Sequence, residues 1–391
     1  MHRAVVVFAV LGCGRINFDP PGAPTFACTP ADETCNAIDD DCDGLVDEGC
    51  PCMPLDVMHG APSIIIDHPS FAFDGTTYRE LYTDSAGIQL ATFEVDGTYN
   101  LIGLAAPGYT APDTRHGVFV ATDVLLTPLE SSSALELVRF GLGGALLGTT
   151  TITPASTGPY SPQVLAGDAG VVVVWADGRA GSDDLYLAPF SVDGTRVGPD
   201  MRVTDGHASP QSPKIVRVPD GYAMLWLDFH DAVQHIHFAH VDPTAGTVDV
   251  LDVAGMQSLS GADLAWAGQD YVLAWSGGQS IEIRALDWSY ATRFDVLDEP
   301  VDAIVFPVLA STGTAVAQAR ASRPPSTVEF ELTHVSFDGE LGQPATLSST
   351  TGSMYAYGEA TIYADASREV VAYVLSVGGA PATNYLHVRC P

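Results

Sequence analysis

The stretch that decides the fold, residues 161–198, reads SPQVLAGDAGVVVVWADGRAGSDDLYLAPFSVDGTRVG. A short strand over Gln163–Leu165 is followed by a turn, a valine-rich strand over Val171–Trp175 and a second turn. An alternating strand over Asp184–Phe190 then meets Asp193-Gly194, a pair typical of a hairpin turn, and a fourth strand follows. The stretch therefore predicts a unit of four antiparallel strands.

The unit recurs along the chain. Its clearest copies carry Trp175, Trp226 and Trp275, which stand 51 and 49 residues apart. Four strands in each repeat of roughly 47 residues is typical of a β-propeller blade. Residues 62–390 have room for seven such blades, although the weak match of 117–160 leaves six or eight open.

We therefore predict an all-β protein whose main domain, 62–390, is a seven-bladed β-propeller. No segment shows a convincing helical period, and the three tryptophans are expected to pack between blades. A stack of β-sandwich domains is the alternative fold. It would show breaks about every 100 residues, which the sequence lacks.

The pattern W-A-D-G-R at 175–179 resembles the blades of exported bacterial propeller proteins that are loosely related to sialidases. The S-x-D-x-G-x-T-W box of sialidases is absent from the sequence. The resemblance therefore implies an architecture and no particular chemistry.

Residues 1–13, MHRAVVVFAVLGC, predict an export signal. A charged start precedes an apolar run that is too short to span a bilayer as a helix. The end of the run resembles the bacterial lipoprotein box, which implies that Cys13 accepts the lipid. Residues 14–27 are rich in proline, glycine and small residues and predict a flexible tether. We expect an outer-membrane or cell-surface lipoprotein, with plain secretion as the alternative.

The other six cysteines predict disulfide bonds, because they are even in number and five of them lie close together in an exported chain. They are Cys28, Cys35, Cys42, Cys50, Cys52 and Cys390. Residues 28–52 thus predict a small stapled module, and one bond is expected to join Cys50 or Cys52 to Cys390. A zinc site built from four of the clustered cysteines is the alternative, although their spacing is not that of paired CxxC motifs.

The sharpest local signal is the acidic run 35–50, CNAIDDDCDGLVDEGC. Asp39, Asp41 and Asp43 alternate and Gly44 follows at once, as in the first half of a calcium-binding loop. Carboxylates at every second position of a tight loop can converge on one ion. The bidentate glutamate that ends an EF-hand loop is missing, so the run does not predict an EF-hand.

This run resembles the CNGxDDDCDGxVDE metal-binding repeats of exported bacterial proteins, common in myxobacteria, and is similar to thrombospondin type 3 repeats. The resemblance implies a structural calcium ion, with oxygen ligands from Asp39, Asp41, Asp43, the Leu45 carbonyl and Asp47. The alternative is a solvated acidic disulfide loop that holds no ion tightly.

A second candidate metal site lies in the histidine-rich stretch 230–240. His235 and His237 are two residues apart on a predicted strand and would point the same way. They could present two imidazoles to zinc or copper, with Asp228 or His230 as a third ligand. Polar histidines at a strand edge are the interpretation that we favour.

The net charge of the chain and the absence of known catalytic motifs narrow the classes of function that the sequence predicts. Against 48 acidic residues the chain has 16 Lys and Arg, for a net charge of −32, which excludes nucleic acid as a partner. The sequence has no hydrolase elbow, phosphate loop or HExxH motif. We predict a non-catalytic, monomeric binding or scaffold protein with a protein or glycan partner and contact with the membrane through its lipid alone. A glycan-active hydrolase or lyase with carboxylates at the propeller funnel is the alternative.

Overall fold

The fold was analysed in a computed structural model of the chain. It describes residues 53–62, 70–73, 77–84, 87–94, 99–106, 109–110, 118–121, 124–167, 170–206, 209–230, 232–244, 246–256, 259, 261–277, 280–298, 307–311, 315–322, 328–350, 360–365, 368–377 and 380–389. The predicted signal, tether and Cys-rich module (1–13, 14–27 and 28–52) lie outside these ranges.

The described residues are almost entirely β-strand, with one turn of 3₁₀ helix at Ala155–Thr157. Strand β1 is Met53–Pro62. The first sheet contains β2 to β5, Ser70–Phe73, Thr77–Asp84, Gly87–Glu94 and Tyr99–Gly103. The second contains β6 to β10, Tyr109–Thr110, Val118–Ala121, Val124–Ser131, Ala134–Gly141 and Leu146–Pro154. The third contains β11 to β14, Tyr160–Gly167, Gly170–Asp177, Asp184–Ser191 and Met201–Arg202.

The remaining strands continue in the same way. The fourth sheet contains β15 to β18, Gln211–Val218, Gly221–His230, Val233–Asp242 and Thr247–Met256. The fifth contains β19 to β22, Gly261–Trp266, Tyr271–Gly277, Ser280–Leu286 and Thr292–Asp298. The sixth contains β23 to β26, Val308–Ser311, Ala315–Ser322, Val328–Ser336 and Ala345–Thr350. Strands β27 to β29 are Ala360–Asp365, Arg368–Val377 and Ala380–Arg389.

Five of the seven sheets that the described strands form contain four strands paired in chain order and antiparallel, which confirms the predicted all-β unit of four strands. The second sheet departs from this plan because β6 and β7 both pair with β8. This sheet corresponds to the part of the sequence, 117–160, that matched the repeat least well.

The last sheet joins the two ends of the described chain. Its order is β27, β28, β29 and then β1, and Met53 pairs with Arg389 at the end of the register. The strands therefore begin before residue 62, where the sequence placed the start of the domain. The cause is a long-range pairing, since β1 has no partner among its neighbours in sequence.

The third sheet illustrates how the core forms. Every residue of β12 is buried, and its side chains alternate between two layers. Val171, Val173 and Trp175 pack with residues of the second sheet, whereas Val172 and Val174 pack with residues of the fourth. The valine run is therefore apolar on both faces because a sheet lies on each side.

The three tryptophans occupy these layers as predicted. Trp175, Trp226 and Trp275 are 0%, 2% and 0% exposed. Burying a side chain of this size stabilises the fold by about 1.5–3 kcal/mol or more. They are therefore anchors of the packing between sheets, each near the end of the second strand of its sheet.

Candidate functional site

The predicted calcium ligands, the lipid-accepting Cys13 and the six disulfide cysteines all lie outside the described residues, so those predictions remain predictions. The described polar side chains of interest gather in two places. The first is the end of the third, fourth and fifth sheets at which the second strand turns into the third. The second is an aromatic cluster at the other end of the fifth sheet.

In the third sheet a buried carboxylate organises the end of β12. The Nε1–H of Trp175 donates a 2.8 Å hydrogen bond to Oδ2 of Asp177. Arg179 donates through Nε to both Asp177 oxygens at 2.9 Å, and its Nη2 makes a 2.5 Å ion pair with Oδ2. Thr153, from β10 of the second sheet, donates to the same oxygen at 3.1 Å. Asp177 therefore ties two sheets together.

The charge of Asp177 is stabilised by these contacts. Burial by itself raises the pKa of the Asp177 carboxyl, but the hydrogen bonds from the Arg179 side chain, from Trp175 and from the Arg179 backbone outweigh it, so the pKa is lowered. The Arg179 guanidinium also lies 4.3 Å from the ring centroid of Tyr186 and 5.4 Å from that of Trp175. A cation over aromatic rings adds to the stability of the same group.

The fourth sheet carries histidines in place of the arginine. Nε2 of His237 is 2.5 Å from Oδ2 of Asp228, and its ring stacks on Trp226 with centroids 5.5 Å apart. The rings of His235 and His237 stack 6.1 Å apart, so the two side chains do point the same way. Nδ1 of His235 is 3.5 Å from Oδ2 of Asp252.

The contacts around His235 and His237 do not bring three metal ligands together among the described residues. Within the described ranges, no group of three or more His, Cys, Asp or Glu side chains is arranged to hold a metal ion. Asp228, one of the two expected third ligands, is paired with His237, and the side chain of the other, His230, lies outside the described part of the chain. His240 instead approaches Oδ1 of Asp220 at 2.9 Å through its Nε2. His235, His237 and His240 each face an aspartate, and the choice between a metal site and polar histidines at a strand edge stays a prediction.

The fifth sheet repeats the pattern with other residues. The Arg284 guanidinium lies 5.1 Å from the ring centroid of Trp275. Its Nη2 donates to Glu282 at 2.7 Å and to Asp295 at 2.8 Å. Burial, and then the nearby Asp295 carboxylate, raise the pKa of Glu282 despite Arg284. Glu282 and Asp295 lie on the third and fourth strands, away from the first strand of the sheet.

The chemical consequence is that these ends form internal locks. Each contains a tryptophan, a carboxylate and an arginine or histidine of the same chain within ion-pair distance. These contacts join neighbouring strands, and the bond from Thr153 to Asp177 also joins two sheets.

The second place, at the opposite end of the fifth sheet, was not predicted from the sequence. Six rings meet there, which we call the Trp288 cluster: Phe238, His240, Trp266, Tyr271, Trp288 and Tyr290. The centroid of Trp288 is 5.0 Å from that of Trp266, 5.4 Å from that of Tyr271 and 5.8 Å from that of His240. Trp288 is nevertheless 43% exposed.

Carboxylates surround the Trp288 cluster. The Tyr290 hydroxyl donates to Asp249 at 3.2 Å. Burial, and then the charge of Asp249, raise the pKa of Tyr290 to about 12. Burial is also the main cause that raises the pKa of Tyr271, with smaller effects of Tyr290 and Asp220. Both phenols therefore stay neutral at ordinary pH in an electronegative environment.

The signal that could have revealed this cluster is weak. Trp266 and Trp288 each stand at a turn of the fifth sheet, in the sequences AWAG and DWSY. An exposed tryptophan at a turn has no periodic partner, so strand patterns do not mark it. Pairing across sheets brings it to His240.

Comparison with known proteins supports the fold. No protein family matches the chain by sequence, and no curated protein matches it. Among solved structures, the Dos1 propeller superposes with a TM-score of 0.51 at 10% identity, over 86% of this chain and 95% of that one. The polysaccharide lyase Uly1 superposes with a TM-score of 0.52 at 8% identity, over 84% and 91%. At such low identity these likenesses show a propeller-like fold alone.

No helix in the described part of the chain has the length and apolar character needed to cross a membrane.

Proposed function

We propose that this protein is a non-catalytic binding platform built on a seven-bladed β-propeller. The blade number is supported by the seven sheets that the described strands form, the last of which is shared by both chain ends. Propellers of this type present turns from every blade on rigid sheets, which suits recognition of a partner.

One observation carries the non-catalytic role. In the third, fourth and fifth sheets, the carboxylate nearest the tryptophan faces a basic side chain of the same chain, as in Asp177 with Arg179, Asp228 with His237 and Glu282 with Arg284. These acids are committed to internal contacts. The exposed aromatic surface lies elsewhere, in the Trp288 cluster.

The test is to measure binding and turnover on the same sample. The full-length protein is immobilised and screened for binding of peptides and glycans. The same ligands are also incubated with the protein and analysed by mass spectrometry for cleavage. We expect saturable binding and unchanged ligands. Cleavage of a glycan that is lost in Glu282→Gln and retained in Asp205→Asn, a control in an exposed loop, would establish the hydrolase or lyase alternative instead.

The proposed address is an exported lipoprotein anchored through Cys13. Labelling of the expressing cell with an alkyne palmitate analogue is expected to mark the wild-type protein at the membrane. A Cys13→Ser variant is expected to be unlabelled. Labelling of that variant at the wild-type level would contradict the anchor.

We also propose that residues 28–52 hold a structural calcium ion. Calorimetric titration of the calcium-free full-length protein is expected to show one site that Asp41→Ala abolishes and Asp205→Asn preserves. An unchanged titration of Asp41→Ala would contradict the assignment of ligands, and a wild-type protein without heat of binding would contradict the calcium site.

A further inference from the structure

The exposed ring of Trp288 is held rigidly. It packs against Trp266, Tyr271 and His240 at the distances given above, while nearly half of its surface faces solvent. Large rings on a protein surface whose orientation is already fixed lose little entropy when a partner binds. The Trp288 cluster is therefore a preformed aromatic surface.

The surface is also negative. Asp220 is 55% exposed and meets the cluster through His240. Asp249 joins it through Tyr290, and Asp287 directly precedes Trp288 in the chain. Arg293 is the cation recorded nearby in the described ranges, and it is 3.5 Å from the buried Asp270. Acidic side chains thus outnumber basic ones here, in a chain with a net charge of −32.

The protein's own tryptophans indicate what such surroundings bind. Trp175 has the guanidinium groups of Arg179 and Arg196 over its ring at 5.4 and 6.0 Å, and Trp275 has that of Arg284 at 5.1 Å. In each case a carboxylate holds the arginine in place. An aromatic face beside a carboxylate is occupied by an arginine in both sheets.

Trp288 is also an aromatic ring in an acidic part of the fold, but it lacks an arginine. In the part of the chain that the structure describes, no guanidinium lies over its ring. The cluster therefore combines an open aromatic face with negative charge.

We propose that the Trp288 cluster is a docking site for an arginine side chain in a basic segment of a partner protein. This inference rests on the proposed binding role and names the chemistry of the ligand. The planar guanidinium stacks on an indole ring while its N–H groups donate to carboxylates. Asp220 and Asp249, which contact His240 and Tyr290 of the cluster, supply such carboxylates. Lysine carries the same charge, but its ammonium group has no planar face to stack on the ring and cannot donate two parallel hydrogen bonds to a carboxylate. The site is therefore expected to prefer arginine.

The test measures peptide binding to the full-length protein by fluorescence anisotropy at physiological salt. The probe is a fluorescein-labelled peptide of alternating Arg and Gly, compared with twins that carry Lys or Gln in place of Arg. We expect saturable binding of the Arg peptide, weaker binding of the Lys peptide and none of the Gln peptide. Trp288→Ala is expected to weaken Arg-peptide binding by about fivefold to thirtyfold, as the loss of a cation–aromatic contact would.

One further variant in the cluster and two controls outside it guard against a merely structural effect. Asp220→Asn keeps the shape and an acceptor oxygen for His240 and is expected to weaken binding a few-fold. Phe229→Ala removes an aromatic that is 59% exposed in the fourth sheet, and Asp205→Asn removes an exposed charge of the third. Both control variants are expected to bind the Arg peptide like the wild type.

Three outcomes overturn the inference. Equal affinity for the Arg and Lys peptides would mean that net charge alone attracts them. Arg-peptide binding that Trp288→Ala leaves unchanged would mean the same. Binding of a neutral oligosaccharide, tested with cellohexaose and chitohexaose, that depends on Trp288 while the Arg peptide fails would make the cluster a glycan site. That last result contradicts the arginine proposal and leaves the binding role intact, whereas cleavage of the oligosaccharide contradicts the role itself.

Discussion

Replacing Asp177 by asparagine removes one negative charge from the lock between the second and third sheets. The side chain keeps its size, and its remaining carbonyl oxygen still accepts one hydrogen bond. Trp175, Arg179 and Thr153 now share that acceptor. The new amide group also faces the Arg179 guanidinium, donor against donor.

The loss of stability can be estimated from these contacts. Hydrogen bonds to a charged group contribute about 1.5–3 kcal/mol each, but Arg179 is 29% exposed and regains part of its hydration. We expect a loss of about 2–3 kcal/mol. Unfolding entropy of about 2.1 cal/mol/K per residue, for a unit of about 340 residues, converts this into a decrease in Tm of about 3–4 °C.

The assay is differential scanning calorimetry from pH 7 to pH 3. The folded pKa of Asp177 lies below the value of about 3.9 of an unfolded aspartate. Its contribution is therefore complete above about pH 5 and is lost as the pH falls through the folded pKa. The difference in Tm between the wild type and Asp177→Asn should be largest near neutral pH and should shrink below about pH 4.

Asp193→Asn is the matched control, since Asp193 is an exposed turn residue of the same sheet whose pKa is lowered by local hydrogen bonds, from Ser191 first. We expect its Tm to stay within about a degree of the wild type. If Asp177→Asn melted like this control at pH 7, or if the gap did not change with pH, the buried charge would not be what stabilises the lock.

Other consequences can be checked in the same protein. Gly170→Ala is expected to lower the Tm by about 2–4 °C, because its φ is +156° and a Cβ would lie 1.9 Å from the Phe190 carbonyl oxygen. Gly143 has open space around it, so Gly143→Ala is expected to leave the Tm unchanged. Equal Tm values for the two variants would contradict the clash. The register of β1 with β29 ends one residue short of Cys52 and Cys390, which lie outside the described residues, so non-reducing peptide mapping is expected to find these two linked. A link from Cys390 to another cysteine would contradict this extrapolation.

The repeating strands were predictable because their signals are local. A valine run, a tryptophan and a turn pair lie within one strand or its ends, so β12 and β13 were recognisable at Val171–Trp175 and Asp184–Phe190. The pairing of β1 with β29 could not be predicted from such local signals, because the two strands lie far apart in the sequence. Hydrophobic periodicity marks the strands but does not say which distant strands pair.

The sites were less predictable than the strands, for the same reason. The sequence placed His235 and His237 on one face of a strand, and their rings do stack. It did not place Asp252 beside His235 or Thr153 beside Asp177, since those contacts depend on register and on the packing of neighbouring sheets. The Trp288 cluster likewise brings Trp288 and Tyr290, in a turn of the fifth sheet, to Phe238 and His240 of β17 in the fourth.

The distribution of charge links the two places in the fold. Among the described residues, arginines pair with buried or half-buried carboxylates, as Asp177 and Asp184 show with Arg179 and Arg202. Leaving such a carboxylate without its partner would cost several kcal/mol. An arginine therefore stabilises the fold most where it pairs with a buried carboxylate. Exposed carboxylates such as Asp220 remain solvated at little cost and keep their negative potential. The same shortage of basic residues that requires locks inside the sheets therefore leaves the aromatic surface open to a cation from outside.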